Sequence, residues 1–168
     1  MKLQHKSLVF FFSLLISTFS FAQKKVTSPA ENVSGKINGA TITIKYGSPS
    51  VKGRAIWGAL VPYDKVWRAG ANDATTFETD KTITIEGKQL PAGKYSFFVI
   101  PNENESIIIF NKEAKQWGSY DYKASSDQLR VTVKNENGDA LVEKLEYKIM
   151  ETRIELLWEK LIIGFEVK

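Results

Sequence analysis

The residues best able to do chemistry in this sequence are concentrated between positions 47 and 80. This stretch reads GSPSVKGRAIWGALVPYDKVWRAGANDATTFETD and interrupts an otherwise regular alternation of apolar and polar residues. Guanidinium groups bind carboxylates and sulfates through paired hydrogen bonds, and tryptophan beside arginine is a composition common in binding sites. A long segment between strands is also often functional. We therefore expect a ligand-binding site formed by Lys52, Arg54, Tyr63, Trp67, Arg68 and Asn72.

A structural interpretation of the same segment stays open, because tryptophan is usually mostly buried. In that case four side chains would plug the end of a sheet sandwich, namely Trp57, Leu60, Val61 and Trp67. Arg54 and Arg68 would then pair with Asp64 or Asp73 and satisfy carbonyl groups of the loop. A second polar and aromatic stretch, residues 111–127, either lines the same cleft or forms a loop with its tryptophan packed beneath it.

The N-terminal residues 1–22 have the layout of a secretory signal peptide. Lys2, His5 and Lys6 precede an apolar run over 8–16, and the small residues Ser20 and Ala22 precede the expected cleavage point after Ala22. The run is shorter than the roughly 20 apolar residues of a membrane-spanning helix. We expect a secreted or periplasmic protein with no transmembrane anchor after cleavage, and a single domain over 23–168.

Loss of the signal peptide would narrow the possible chemistry. The sequence has no cysteine, and its one histidine is His5. A mature chain without imidazole or thiol excludes Ser-His-Asp and Cys-His catalysis and histidine-ligated zinc or copper. We predict no cofactor, no metal and no catalytic residue. The formal net charge would fall from +4 to about +2 with no basic cluster, which argues against nucleic-acid binding.

The remaining sequence indicates an all-β protein. Residues 41–46 alternate apolar and polar side chains, which is typical of a half-buried strand. Residues 94–100 are apolar on both faces near Phe98, which predicts a central strand. Many short strands separated by Gly, Pro and Asn turns favour an antiparallel β-sandwich, jelly-roll-like, with a small barrel as the alternative.

Two segments are less clear from their pattern. Residues 152–162 fit both helical spacing and a strand, and we favour a strand that places Trp158 inward, followed by a turn at Glu159 and Lys160 and a final strand. Residues 135–139, which read NENGD, are typical of a turn between strands.

Three blocks of sequence resemble a known bacterial family. SPSVKGR at 48–54, WGALVPY at 57–63 and KVWRAGAN at 65–72 are similar to the signature of domain of unknown function 2911. The resemblance continues through LPAGKYSFFVIP at 90–101. It departs from the pattern at Asp64, where glycine is frequent. The resemblance implies a secreted or periplasmic bacterial β-rich protein and brings no established activity or catalytic residue.

Three functions are compatible with the sequence. We favour a non-catalytic module that binds a glycan or an anionic small molecule. The first alternative is a polysaccharide-active enzyme that uses carboxylates from Asp64, Asp73 and Glu78, or Tyr63 with Arg54. The second is a structural module of the envelope that recruits a partner through an exposed sheet edge. The oligomeric state is not predicted.

Overall fold

Nine β-strands make up most of the described chain. The computed structural model describes residues 28–168, so the predicted signal peptide lies outside the described residues. The strands are β1 (Ala30–Ile37), β2 (Ala40–Gly47), β3 (Thr75–Thr79), β4 (Ile83–Ile85), β5 (Lys88–Leu90), β6 (Gly93–Pro101), β7 (Glu105–Asn111), β8 (Asp127–Ile149) and β9 (Arg153–Glu166). Within residues 28–168 the only helical segment is a 3-10 turn over Ala124–Ser126, and no helix there is long and apolar enough to cross a membrane.

Seven strands form one antiparallel sheet in the order β1-β2-β3-β6-β7-β8-β9, and β4 and β5 form a separate hairpin. The sheet curls into a half-barrel. The hairpin is attached to the last strand, because Ile85 of β4 bridges Val167 just beyond β9. The predicted all-β class is confirmed, and the curled sheet fits the predicted sandwich or small barrel.

The polar run at 135–139 lies inside β8, so the predicted turn there is wrong. Asn135 pairs with Ile163 of β9. Its side-chain oxygen accepts a hydrogen bond from Ser106 Oγ at 2.8 Å, and its Nδ2 donates to the carbonyl of Asn102 at 2.7 Å. Its backbone N–H also donates to the carbonyl of Asn104 at 2.9 Å, so the asparagine supports the turn between β6 and β7 through both its backbone and its side chain.

The predicted strand over 152–162 is confirmed, because β9 runs without a break through this region. The predicted turn at Glu159 and Lys160 is wrong. Glu159 has a left-handed φ of 58°, and the register with β8 shifts on both sides of its partner Val142. These are features of a β-bulge, in which extra residues bend a strand without ending it.

Strand β6 buries side chains on both faces, as its sequence predicts for a central strand. Tyr95, Phe97 and Val99 belong to the main core, which fills the inside of the curled sheet. Phe98 points to the opposite face and packs in a second buried cluster with Ile109 of β7. β6 is the fourth of the seven strands in the sheet.

The segment 48–74, which joins β2 to β3, is held against two distant strands. The backbone N–H of Val51 donates to the carbonyl of Glu143 in β8 at 2.8 Å. Trp67 and Val99 of β6 exchange two backbone hydrogen bonds of 2.8 and 2.9 Å. Four apolar side chains of the segment are buried in the main core: Val51, Ile56, Val61 and Ala69. The segment is therefore an ordered part of the core.

Candidate functional site

A cleft of about 390 Å³ opens where the segment 48–74 passes over strand β9. We call it the tryptophan cleft. It is lined by Ser28, Pro49, Ser50, Lys52, Arg54, Leu60, Val61, Trp67, Arg68, Gly70, Ala71, Asn72 and Trp158. Five of the six residues predicted to bind a ligand lie in this lining. The structure thus brings together residues that are spread over positions 52–72 of the segment.

Three indole rings pack together at this cleft, and two of them line it. Trp67 and Trp158 are stacked with centroids 6.0 Å apart and planes 15° apart. Trp57 meets both rings edge-on, at 5.6 Å from Trp67 and 6.0 Å from Trp158. Trp158 is only 1% exposed, whereas Trp57 and Trp67 are half-buried. The tryptophans belong to the core and at the same time form the apolar wall of the cleft.

Three cationic residues line the cleft, namely Lys52, Arg54 and Arg68. Nη1 of Arg68 also reaches the loop at Gly118, where a Cβ atom would lie 3.5 Å from it. Among the described residues that line the cleft, none is acidic. Lys52 and Arg54 are exposed, and Arg68 is half-buried. Glu143 lies outside the lining, and its Oε1 accepts a hydrogen bond from the Lys52 backbone N–H at 3.0 Å. An excess of positive charge in a partly enclosed site attracts anions, because the surrounding protein screens charge less than water does.

The two arginines differ in what they already bind. Nε of Arg54 donates to the carbonyl of Val51 at 3.0 Å, and its Nη2 donates to the carbonyl of Ser50. This is the loop-stabilising role that the structural interpretation predicts. Nε of Arg68 is buried with no hydrogen-bond partner among the described residues, as is Nε1 of Trp158. A buried donor without a partner is unfavourable, so both atoms are candidates for bonding to a ligand or to water.

The rim of the cleft uses left-handed backbone at non-glycine residues. Lys52 and Asn72 of the lining have φ values of 49° and 64°, and the buried Ala69, which lies between Arg68 and Gly70 of the lining, has a φ of 52°. The carbonyl of Ala69 accepts hydrogen bonds from Thr75 Oγ1 at 2.9 Å and from the Tyr147 hydroxyl at 2.7 Å. A left-handed conformation costs an ordinary residue about 1–2 kcal/mol, and these bonds offset that cost.

Tyr147 is the buried support of this rim. It is 4% exposed, and burial raises the pKa of its hydroxyl well above the ordinary value of 10.0. The ring of Tyr46 packs edge-on against it at 4.8 Å. The neutral hydroxyl is therefore the form that holds the Ala69 carbonyl in place throughout the physiological range.

Gly47 allows two backbone segments to cross at the base of the rim. A Cβ atom there would lie 2.2 Å from the carbonyl oxygen of Ala71. The N–H of Ala71 in turn donates to the Gly47 carbonyl at 3.2 Å. Any side chain at position 47 would separate the end of β2 from the cleft.

Tyr63 is the one predicted ligand-binding residue that does not line the cleft. Its ring packs over Gly58, where a Cβ atom would come within 2.9 Å of its Cε2. Conversely, Trp158 lines the cleft but was assigned from its sequence only to the inward face of a strand. That assignment is confirmed, and its place in the site depends on how β9 packs under the segment 48–74.

The carboxylates considered for catalysis are separated from one another. Asp64 accepts a hydrogen bond from Asn102 Nδ2 at 2.8 Å and lines a different pocket of about 370 Å³. Glu78 forms an exposed ion pair with Lys94 at 3.9 Å. No described pocket is lined by two of the three carboxylates of Asp64, Asp73 and Glu78. Residues 28–168 hold no cluster of three or more acidic, histidine or cysteine side chains able to ligate a metal.

The second polar stretch forms a closed cluster around Asp127, apart from the tryptophan cleft. Asp127 accepts hydrogen bonds from Asn111 Nδ2 at 2.8 Å, the Tyr122 hydroxyl at 2.7 Å and Arg130 Nε at 2.6 Å. We call these residues the Asp127 cluster. Burial, followed by the bond to Asp127, raises the pKa of Tyr122. Trp117 of the same stretch is 61% exposed, so it is not packed beneath the loop.

A larger groove of about 790 Å³ adjoins the tryptophan cleft. We call it the outer groove. It is lined by Ala30, Glu31, Asn32, Lys45, Tyr46, Gly47, Ala71, Asn72, Asp73, Ala74, Thr76 and Lys94. It runs across strands β1, β2 and β3 and reaches β6. Ala71 and Asn72 line both depressions, so they form the ridge that the two share.

A model of the family described as Protein of unknown function (DUF2911) matches residues 28–167. The chain belongs to this family. The match confirms the resemblance of the sequence blocks and spans nearly all of the described residues. Comparisons with curated proteins and with solved structures gave no significant match. The structure explains one departure of this DUF2911 chain from the family signature: Asp64 has a φ of 57°, a conformation that glycine adopts most easily and aspartate tolerates.

Proposed function

We propose that this protein is an exported, non-catalytic binding module whose ligand is a glycan bearing a carboxylate or sulfate group. The tryptophan cleft is the proposed site. Its volume of about 390 Å³ lies within the range of about 300–1,000 Å³ typical of small-ligand pockets. The observation that carries the proposal is the presence of three cations and no acid among the described residues of the lining.

Arg68 is the residue we expect to bind the anionic group. Within residues 28–168 it forms no ion pair, and its Nε is a buried donor without a partner. Arg54 is fixed in orientation by two loop carbonyls, which leaves its remaining N–H groups for a ligand. Lys52 adds a mobile point charge at the rim.

The indole wall favours a sugar over a small inorganic anion. Trp67 is half-buried and is held by its stack on Trp158 and by two backbone bonds to Val99. A rigid aromatic surface supplies contact area at little cost in conformational entropy. Asn72, which bonds to the Ser28 carbonyl through Nδ2 at 3.1 Å, keeps its side-chain oxygen as an acceptor for ligand hydroxyls.

Calorimetric titration with glucuronate and glucose tests this proposal, because the two sugars share a ring and differ in the carboxylate. We expect glucuronate to bind at least tenfold more tightly, with an affinity that falls as salt is added. Arg68→Gln should weaken glucuronate binding about tenfold or more, since a hydrogen bond to a charged group contributes about 1.5–3 kcal/mol.

Arg130→Gln is the matched control, because that arginine belongs to the Asp127 cluster and lies outside the tryptophan cleft. It should leave glucuronate affinity unchanged. Equal affinity for glucose and glucuronate would remove the anionic part of the proposal. Absence of binding by glucuronate and by glucose 6-sulfate would remove the proposal altogether.

A further inference from the structure

The outer groove differs from the tryptophan cleft in its charge. Its lining holds two acids, Glu31 and Asp73, and two lysines, Lys45 and Lys94. The formal charges of these four lining residues cancel. A ligand that covers both depressions would therefore have an anionic end and an uncharged continuation.

The ridge between the two depressions gives a continuous path for such a ligand. Ala71 and Asn72 line both the cleft and the groove. The small side chain of Ala71 leaves little bulk on the ridge, and Asn72 offers an amide to either side. On the groove side, the half-buried ring of Tyr46 adds an aromatic surface braced by Tyr147.

An exposed tryptophan, Trp117, is bridged to Asp73, which lines this groove. Trp117 is 61% exposed, which is unusual for a residue that is mostly buried on average. Its backbone forms an antiparallel bridge with that of Asp73, and Ala74 N–H donates to the Gln116 carbonyl at 3.0 Å. Directly opposed residues of an antiparallel pair project to the same face, and Asp73 lines the groove. The indole of Trp117 is thus placed beside the groove on a braced backbone.

We propose that the outer groove and Trp117 extend the binding site so that it holds an oligosaccharide with one terminal acidic sugar. The acidic sugar occupies the tryptophan cleft, and uncharged sugar units cross the ridge at Ala71 and Asn72 toward Trp117. This inference rests on the proposed function, because it takes the anionic end to bind at Arg68.

The test compares glucuronate with a xylotriose chain that carries one terminal glucuronate. Titration calorimetry should show the tetrasaccharide to bind at least tenfold more tightly than glucuronate alone. Trp117→Ala should remove most of that gain and leave the affinity for glucuronate unchanged. Leu141→Ala is the matched control, because Leu141 is a 55% exposed apolar residue that lines neither depression. It should change neither affinity.

The possible failures are distinguishable. Equal affinities for the two probes, with glucuronate still bound, would overturn the extended site and leave the proposed function standing. A gain for the tetrasaccharide that survives Trp117→Ala would remove Trp117 from the site. If neither probe binds, the proposed function fails and the extension fails with it. A thermal unfolding midpoint equal to that of the wild type would show that each variant is folded when its affinity is measured.

Discussion

The tryptophan cleft and the Asp127 cluster contain similar side chains, but they differ in whether their polar groups have hydrogen-bond partners. Each combines an arginine, an asparagine and aromatic rings. Arg130 bonds to a carboxylate that is itself bonded on both oxygens, whereas Nε of Arg68 is buried without a partner in the described chain. Polar groups that satisfy one another stabilise the fold, and donors left over are available to a ligand. The comparison separates a structural cluster from a candidate site without reference to sequence composition.

The largest effect that tests this comparison is expected from Asp127→Ala. The Asp127 side chain is 8% exposed, and its loss would leave three donors, on Asn111, Tyr122 and Arg130, without their acceptor. We expect a loss of about 2–4 kcal/mol in the free energy of unfolding, measured by urea denaturation. Asp121→Ala, at an exposed acid in the same loop, should cost less than about 0.5 kcal/mol. Similar costs for the two variants would mean that the Asp127 cluster is not structural.

Tyr147→Phe should have an intermediate effect, because it removes one of two hydrogen bonds to the Ala69 carbonyl. We expect a loss of about 1 kcal/mol at neutral pH. The pKa of Tyr147 is raised in the folded state, so the unfolded chain loses this proton first as pH rises. The stability it contributes is full below pH 10.0 and declines as pH rises above that value. Urea unfolding can be measured between roughly pH 8 and 11, which spans the ordinary tyrosine pKa. The unfolding free energy of the variant should fall less steeply with pH than that of the wild type. Parallel declines would contradict the burial of this hydroxyl.

The smallest effect is expected from Arg68→Gln, compared with Arg130→Gln. Loss of Arg68 breaks no ion pair within residues 28–168, so its unfolding free energy should change by less than about 0.5 kcal/mol. Arg130 is 40% exposed, and solvent screening limits the expected cost of its loss to about 1 kcal/mol. For glucuronate affinity we expect the reverse order, with Arg68→Gln weakening binding more than Arg130→Gln. A stability loss at Arg68 as large as that at Arg130 would make Arg68 a structural residue.

Local patterns predicted the strands and failed at the turns. Alternation identified β2 and the final strand, and apolar residues on both faces identified β6 as central. The run at 135–139 has turn composition, yet its polar groups are used by the neighbouring turn at Asn102 and by pairing with β9. Glu159 has the left-handed φ of a turn residue, but it lies opposite extra residues of β8, so strand β9 continues through it.

The candidate site was only partly predictable. Lys52, Arg54, Trp67, Arg68 and Asn72 are close in sequence, so one irregular segment sufficed to group them. Tyr63 shares that segment but packs over Gly58. Trp158 lies far along the chain in β9, and no local signal marks it as part of a cleft.

The sequence by itself determined the all-β class, the central strand and the composition of one irregular segment, because side-chain alternation and glycine placement act over a few residues. Only the tertiary structure decided which arginine is paired with a carboxylate and which has no such partner. Arg68 and Arg130 are the same residue type, and what distinguishes them is whether the fold brings a carboxylate within bonding distance. Arg130 pairs with Asp127, three residues away, whereas Arg68 forms no ion pair within residues 28–168 although Asp64 and Asp73 are also near it in sequence. Nearness in sequence therefore does not decide the pairing, because the path of the backbone determines whether two neighbouring side chains meet.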